Sequence, residues 1–358
     1  FTRRPTENSP YFPSHKRLLI VCSAESYTQN LLCRFERNGF LFDLNNLCYH
    51  RAMKLIGENI HVISKSVREA LINRDKDFLL NIINKQANMD AIDLNVGPAK
   101  GELENILPWL TDIINTNSAK NISFDTSNAL EMKKGLEICK NPKDAFINSA
   151  TDNLDRLEKM TDLASEYGSN LIALTLSSDN GIPNTADAKM EVALDMYETC
   201  IMKGIPNGKI YFDPLVLPVN VAQNQAIETL NTIKILKESF EPQCNTVIGL
   251  SNVSNGSPKE LRPLINKVFL TLAYGAGLDC AIVDATDTEI QNLIEMLDLN
   301  NPQNDVDKLL VDLTSVTRDF VELEEISYNS MDKASVDVLK TAKIILNKEI
   351  YSHSFTQV

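Results

Sequence analysis

From Met53 onward the chain alternates short apolar runs with longer amphipathic stretches. The runs cover residues 54–57, 91–95, 121–125, 145–148, 170–175, 209–213, 246–249 and 280–284, each four to six residues long and closed by a polar residue or glycine. That is the pattern of a strand buried on both faces. Between the runs, apolar residues recur at helical spacing, as at Ile227, Leu230, Ile233 and Leu236. Strands that alternate with helices predict a parallel sheet, because a parallel pair needs a crossover connection. Eight such units over residues 53–298 predict an α/β fold, a closed (β/α)8 TIM barrel. An open doubly wound sheet is disfavoured, since no G-x-G-x-x-G follows the first run. The Gly275-x-Gly277 pair reads instead as a helix C-cap and turn leading into the last strand.

The flanks depart from this pattern. Residues 299–332 hold eight acidic side chains against Lys308 and Arg318, with Leu309, Leu310, Leu313, Val316 and Phe320 at helical spacing. An inserted acidic helix on the barrel exterior is predicted, followed by the final barrel helix and tail over 333–358. Residues 1–52 have no counterpart in the barrel pattern and carry a net +3, whereas the rest carries −16. Because Met53-Lys-Leu-Ile-Gly-Glu58 reads as a start, residues 1–52 are expected to be a non-native or poorly ordered extension.

Charge and cysteine usage narrow the function classes. With 35 basic and 48 acidic residues the chain has a net charge of −13, which repels phosphate backbones and anionic membranes. No apolar run approaches the roughly 18 residues of a membrane span. Seven cysteines, an odd number without a C-x-x-C pair, argue for a reducing, cytoplasmic compartment. No Cys/His cluster suggests zinc, and of four histidines only His61 lies near a strand end, so no metal site or Ser-His-Asp triad is expected.

Barrels of this kind carry their chemistry at the C-terminal ends of the strands. Here those ends read Glu58 and Asn59, Asp93 and Asn95, Asp125 and Asn128, Asn148, Thr175, Asp213, Ser251-Asn252 and Asp284. A single Asp or Asn in such a place usually caps the next helix. So many around one mouth instead suit a neutral heterocycle, because a carboxylate accepts two parallel hydrogen bonds from an amino-pyrimidinone edge and an Asn both donates and accepts. A sugar or a Mg²⁺-bound phosphate would suit the same residue types.

The motifs Leu55-Ile-Gly-Glu-Asn59, Ile92-Asp-Leu-Asn-Val-Gly-Pro98, Phe124-Asp-Thr-Ser-Asn128, Ile147-Asn-Ser149, Asp213-Pro-Leu-Val-Leu-Pro218 and Gly249-Leu-Ser-Asn-Val-Ser254 occur in order along the strand ends. Together they resemble the pterin-binding barrel family, and within it the methyltetrahydrofolate:corrinoid/iron–sulfur protein methyltransferases of the acetyl-CoA pathway. The resemblance spans residues 53–298 and resumes over 333–355. It implies pterin contacts at Asp125, Asn148 and Asp213, further acidic cavity positions at Asp93 and Glu58, and ligand-contacting positions at Gly249 and Ser251. It assigns Asn252 the catalytic hydrogen bond to N5, the atom that bears the methyl group. It also implies a homodimer that uses methyltetrahydrofolate, with the corrinoid (cobalamin) carried by a partner corrinoid/iron–sulfur protein or a similar corrinoid protein. No D-x-H-x-x-G run occurs, consistent with cobalt coming from that partner. In relatives Gln often follows Ser-Asn-Val-Ser, whereas here Asn255-Gly256 follows.

Three other readings share this fold or site. Some relatives run the reaction in reverse, methylating tetrahydrofolate from a corrinoid protein loaded by a methylamine, betaine or aryl ether. A dihydropteroate synthase would need a basic phosphate site, a lysine near the pterin and a glycine-rich continuation after strand six, where Asp213-Pro-Leu-Val-Leu-Pro218 stands instead. A non-catalytic folate-binding assembly subunit would give the acidic insertion a docking role.

Overall fold

The structure, a computed structural model, describes residues 53–357 and three short strands before them. The chain divides into two compact units, Phe1–Arg51 and Ala52–Val358. In the first, β1 (Val21–Ser23), β2 (Leu32–Arg37) and β3 (Phe40–Asp43) pair antiparallel in that order. The remaining segments of the expected 1–52 extension lie outside the described residues.

The second unit is a closed barrel of eight parallel strands. They are β4 (Lys54–His61), β5 (Ala91–Gly97), β6 (Asn121–Thr126), β7 (Phe146–Ala150), β8 (Asn170–Leu174), β9 (Ile210–Asp213), β10 (Asn245–Gly249) and β11 (Cys280–Val283). Each pairs with the next, and β11 pairs with β4 to close the ring. Ile56, Ala91, Phe146, Ile172, Tyr211, Val247 and Cys280 fill the interior, so it is a packed core. The Lys54 ammonium donates to the Tyr211 hydroxyl at 2.8 Å.

The crossovers are α1 (Lys65–Ile72) with α2 (Lys76–Lys85), α3 (Ile106–Asn117), α4 (Ala129–Ile138), α5 (Leu154–Tyr167), α6 (Ala186–Met202), α7 (Asn224–Ser239) and α8 (Arg262–Gly275). After β11 come α9 (Thr288–Leu299), α10 (Asp305–Arg318) and α11 (Lys333–Ile345). Many begin at a side-chain cap: Asn128, Asn153, Thr185, Asp287, Asn304 and Asp332 each accept from backbone N–H groups in the first turn. On α7 the apolar stripe buries Leu230, Ile233 and Leu236 against the sheet, while Ile227 is half-buried.

Within residues 299–332, α10 buries Leu309, Leu310 and Leu313 against α8, and burial of each such leucine contributes about 1.5–3 kcal/mol. Phe320 does not continue this stripe: the helix ends at Arg318, Phe320 takes a left-handed φ of 57°, and its ring is exposed under the Lys234 ammonium, 3.2 Å from the centroid. The glycine pair at the end of α8 has two separate causes. Gly277, at φ 97°, forms the turn, with its N–H on Tyr274 O and the Leu278 N–H on Ala273 O. Gly275 lies inside the helix, where a Cβ would stand 2.2 Å from Thr314 O and 2.4 Å from Thr317 Oγ1, so α10 can approach only a bare Cα. Thr317 Oγ1 donates to Leu272 O at 2.7 Å across the same contact. Gly275→Ala should therefore push the two helices apart and lose about 1–3 kcal/mol in urea unfolding. An unchanged unfolding midpoint would refute this close packing.

Candidate active site

The C-terminal parts of the strands and the loops beyond them line an open cavity of about 750 Å³. All eight residues singled out in the sequence line it: Glu58, Asp93, Asp125, Asn148, Asp213, Gly249, Ser251 and Asn252. The barrel brings them together because each lies within or just beyond a strand of one closed ring of parallel strands.

The carboxyl groups are held apart by amides and hydroxyls. Asp93 Oδ1 accepts from Ser123 Oγ at 2.5 Å and from Asn148 Nδ2 at 3.2 Å. With its amino group committed to Asp93, Asn148 keeps its carbonyl oxygen as an acceptor for a ligand. Asp125 Oδ2 accepts from Asn95 Nδ2 at 2.5 Å, and Asp213 Oδ1 accepts from the Leu215 N–H at 2.8 Å. Ser251 Oγ donates to Glu58 Oε2 at 3.3 Å, tying the end of β4 to the loop after β10. In that loop the Asn252 amide lies over Gly249, where a Cβ would stand 2.9 Å from Asn252 Nδ2. Glycine at 249 therefore leaves room for the amide.

Other strand-end residues have supporting roles. Asn128 caps α4, as a lone Asn there would. Thr175 donates through both its N–H and its hydroxyl to the carbonyl of Asp213, fixing the backbone of that residue. Asp284 accepts from Asn59 Nδ2 at 2.6 Å and from the Thr286 N–H and hydroxyl. Although burial opposes it, these bonds hold the Asp284 carboxyl below its ordinary range.

Burial dominates the electrostatics of the rest. Asp93 is 3% exposed and Asp213 9%. Burial pushes Glu58 up to about 7, with the Ser251 hydroxyl opposing and the charges of Asp284 and Asp93 adding to it. Burial also raises Asp213 to about 6, against the Leu215 N–H and the Lys189 ammonium. Asp93 and Asp125 are both raised as well. Burial is the main cause for each; the Asp93 charge adds at Asp125, while Arg156 and Asn95 oppose.

Residues 86–284, more than half of the chain, match the family described as pterin binding enzyme. The chain belongs to the pterin-binding enzyme family. This pterin-binding enzyme is 27% identical to a methylcorrinoid:tetrahydrofolate methyltransferase of Eubacterium limosum over 246 residues, 68% of this chain and 89% of that protein. It is 31% identical to the methionine synthase of Mycobacterium tuberculosis over 245 residues, 65% of this chain but only 20% of the synthase. Among solved structures, a dihydropteroate synthase of Coxiella burnetii in complex with pteroic acid superposes with a TM-score of 0.52 at 18% identity, covering 70% of this chain and 94% of that one. At that identity the likeness is one of fold.

Several residues of this pterin-binding enzyme's site were not legible as site residues in the sequence. Lys259 lines the cavity from the loop after β10, and Arg262 and Asn266 line it from α8. Arg156 reaches over from α5, donating to the carbonyls of Thr126 and Ser127 beside Asp125. Ser123 lies inside a strand, where only its polar character in an apolar run could have marked it. Among the described residues, no helix is long and apolar enough to cross a membrane.

The raised carboxyl of Glu58 has a stability consequence. Between the ordinary value of 4.5 and about 7, the folded state binds more protons than the unfolded chain, so stability falls as pH rises through that window. Glu58→Gln should match the parent in urea unfolding below pH 4.5 and exceed it above pH 7 by about 3 kcal/mol. Equal stability of the two proteins above pH 7 would contradict the burial argument.

Proposed function

We propose that the chain transfers a methyl group between N5 of tetrahydrofolate and the cobalt of a corrinoid carried by a separate protein. The observation that carries the proposal is the joining, in one cavity, of buried carboxyl and amide groups with the Asn252 amide. In this reading Asp125 and Asp213 accept the N–H donors of the pterin's amino-pyrimidinone edge, and Asn148 offers its carbonyl oxygen beside them. Asp93 keeps Asn148 turned that way. Lys259 and Arg262 suit the anionic glutamate tail of folate.

N5 of methyltetrahydrofolate is a tertiary amine and a poor leaving group. When the N5–methyl bond breaks, its electron pair stays on nitrogen, which must be protonated or hydrogen-bonded as that happens. Asn252 supplies a neutral donor at this atom, poised by Gly249 without reorganisation. Glu58, protonated near neutrality and tied to Ser251 beside Asn252, can hold the required proton. The corrinoid, as the second substrate, supplies the nucleophile when methyltetrahydrofolate is the donor. The remaining cavity residues fix the ring so that the methyl faces its acceptor, a proximity effect.

One site serves both directions. The acetyl-CoA pathway reading makes methyltetrahydrofolate the donor. The Eubacterium limosum relative, matched over 89% of its length, supports the opposite net direction, with tetrahydrofolate as acceptor. The resemblance of the motifs also supports a homodimer, and the cysteine usage supports a cytoplasmic location.

The test mixes the purified chain with methyltetrahydrofolate and a reduced corrinoid protein and follows methylation of the corrinoid by its visible spectrum, then repeats the assay from methylcorrinoid and tetrahydrofolate. Turnover is expected in both directions, and Asn252→Ala should lower kcat by about 100-fold or more while pterin affinity changes less. Tight pterin binding with no methyl transfer to any corrinoid, unchanged in Asn252→Ala, would replace this reading with a folate-binding assembly subunit.

A further inference from the structure

Parallel pairing of β5 with β6 and of β6 with β7 sets three polar residues side by side in one row, Asn95 against Asp125 and Asp125 against Asn148. All three line the cavity. The backbone around the row is held on both sides. The Val62 N–H donates to Asn95 O at 3.0 Å, and Arg156 donates to Thr126 O at 3.1 Å and Ser127 O at 3.0 Å, just past Asp125. These bonds reach main-chain atoms, so by themselves they leave the Asp125 carboxyl free to turn about its side-chain bonds. Among the described residues the hydrogen bond to that carboxyl comes from Asn95, whose Nδ2 donates to Oδ2 at 2.5 Å. Asn148, on the other side of the row, gives its N–H to Asp93 instead. Asp125 Oδ1 has no hydrogen bond among the described residues and is not buried without a partner, so it stays open to the cavity.

We propose that Asn95 is a positioning residue for Asp125, its amide fixing the carboxyl group through Oδ2 so that Oδ1 meets an N–H donor of the pterin ring. The ligand in this statement rests on the function proposed above; the hold of Asn95 on Asp125 does not. The bond has two effects. It selects one orientation of the carboxyl group before the ligand arrives, which lowers the ordering cost of binding. It also favours the ionised, accepting form, because a hydrogen bond donated to a carboxylate stabilises its charge. Two charged groups also face Asp125: Asp93, on β5, resists its ionisation, and Arg156, on α5, favours it. His61, in register with Asn95 on β4, lines the same cavity. Arg156 is engaged with carbonyl oxygens, which leaves Asn95 as the side chain that bonds the carboxyl group itself.

The experiment compares the full chain with Asn95→Leu, which keeps the size and removes the donor, and with Asn95→Asp, which keeps the shape and puts an acceptor in the donor's place. The first readout is carbon NMR of labelled aspartate carboxyls without ligand, with the Asp125 signal assigned by its absence in Asp125→Asn. Asn95→Leu should raise the Asp125 midpoint by about one pH unit or more. Asn95→Asp should raise it further, because two carboxyl groups in contact share a proton. The second readout is calorimetric affinity for tetrahydrofolate from acid to neutral pH. Its acid limb should move upward with the midpoint in both variants, so that affinity on the limb falls about tenfold for each pH unit. An unmoved Asp125 midpoint in either folded variant would overturn the proposal. So would an acid limb left in place with affinity lost equally at every pH, which would mark a packing role. If Asn95→Leu fails to fold, the isosteric Asn95→Asp decides alone. If the parent chain fails to bind tetrahydrofolate, the folate reading falls, while the carboxyl titration still decides the hold of Asn95 on Asp125.

Discussion

Four carboxyl groups, those of Glu58, Asp93, Asp125 and Asp213, share one end of a barrel whose walls exclude most water from them. Ionised carboxylates so placed lose hydration and repel one another, and each responds by holding its proton to higher pH. A chain selected for stability alone would not place them together. Much of the surrounding structure is arranged to make the cluster tolerable. Ser123 and Asn148 serve Asp93, Asn95 and Arg156 serve Asp125, Leu215 and Lys189 serve Asp213, and Ser251 serves Glu58. In the proposed reading a pterin edge would supply further N–H donors to this cluster, so ligand binding would return part of the stability that burying the carboxyl groups costs.

The scaffold answers this strain by rigidity. Parallel strands close into one ring, side-chain caps begin many of the helices, and Thr175 clamps the carbonyl of Asp213. The segment between α9 and α11 adds buried leucines on the outside of the barrel, with α10 seated against the bare Cα of Gly275.

How much of this could be read in the sequence differs by level. The eight strands were legible because a strand buried on both faces must be a short unbroken apolar run, and each run from 54–57 to 280–284 falls on an observed strand. The cavity residues were legible because barrel geometry sends every strand end to one mouth; no spacing rule would have joined Glu58 to Ser251 across 193 positions. What stayed hidden depends on contacts between elements. Lys189 sits on a helix among ordinary surface-type residues, and nothing local says that its side chain turns inward. Gly275 looked like half of a turn until α10 was seen against it. Phe320 fitted the helical spacing of its neighbours, yet the helix stops two residues earlier. Asn128, one of the polar strand-end positions, caps the next helix, the ordinary role for such a residue.

The central claim is that this cluster of carboxyl and amide groups receives a pterin ring with N5 at Asn252. A crystal structure of the chain with bound 5-methyltetrahydrofolate tests it most directly. The account predicts the amino-pyrimidinone edge on Asp125, Asn148 and Asp213, with N5 within hydrogen-bond distance of the Asn252 amide. A ligand bound elsewhere, or a ring reversed so that N5 points away from Asn252, would contradict it.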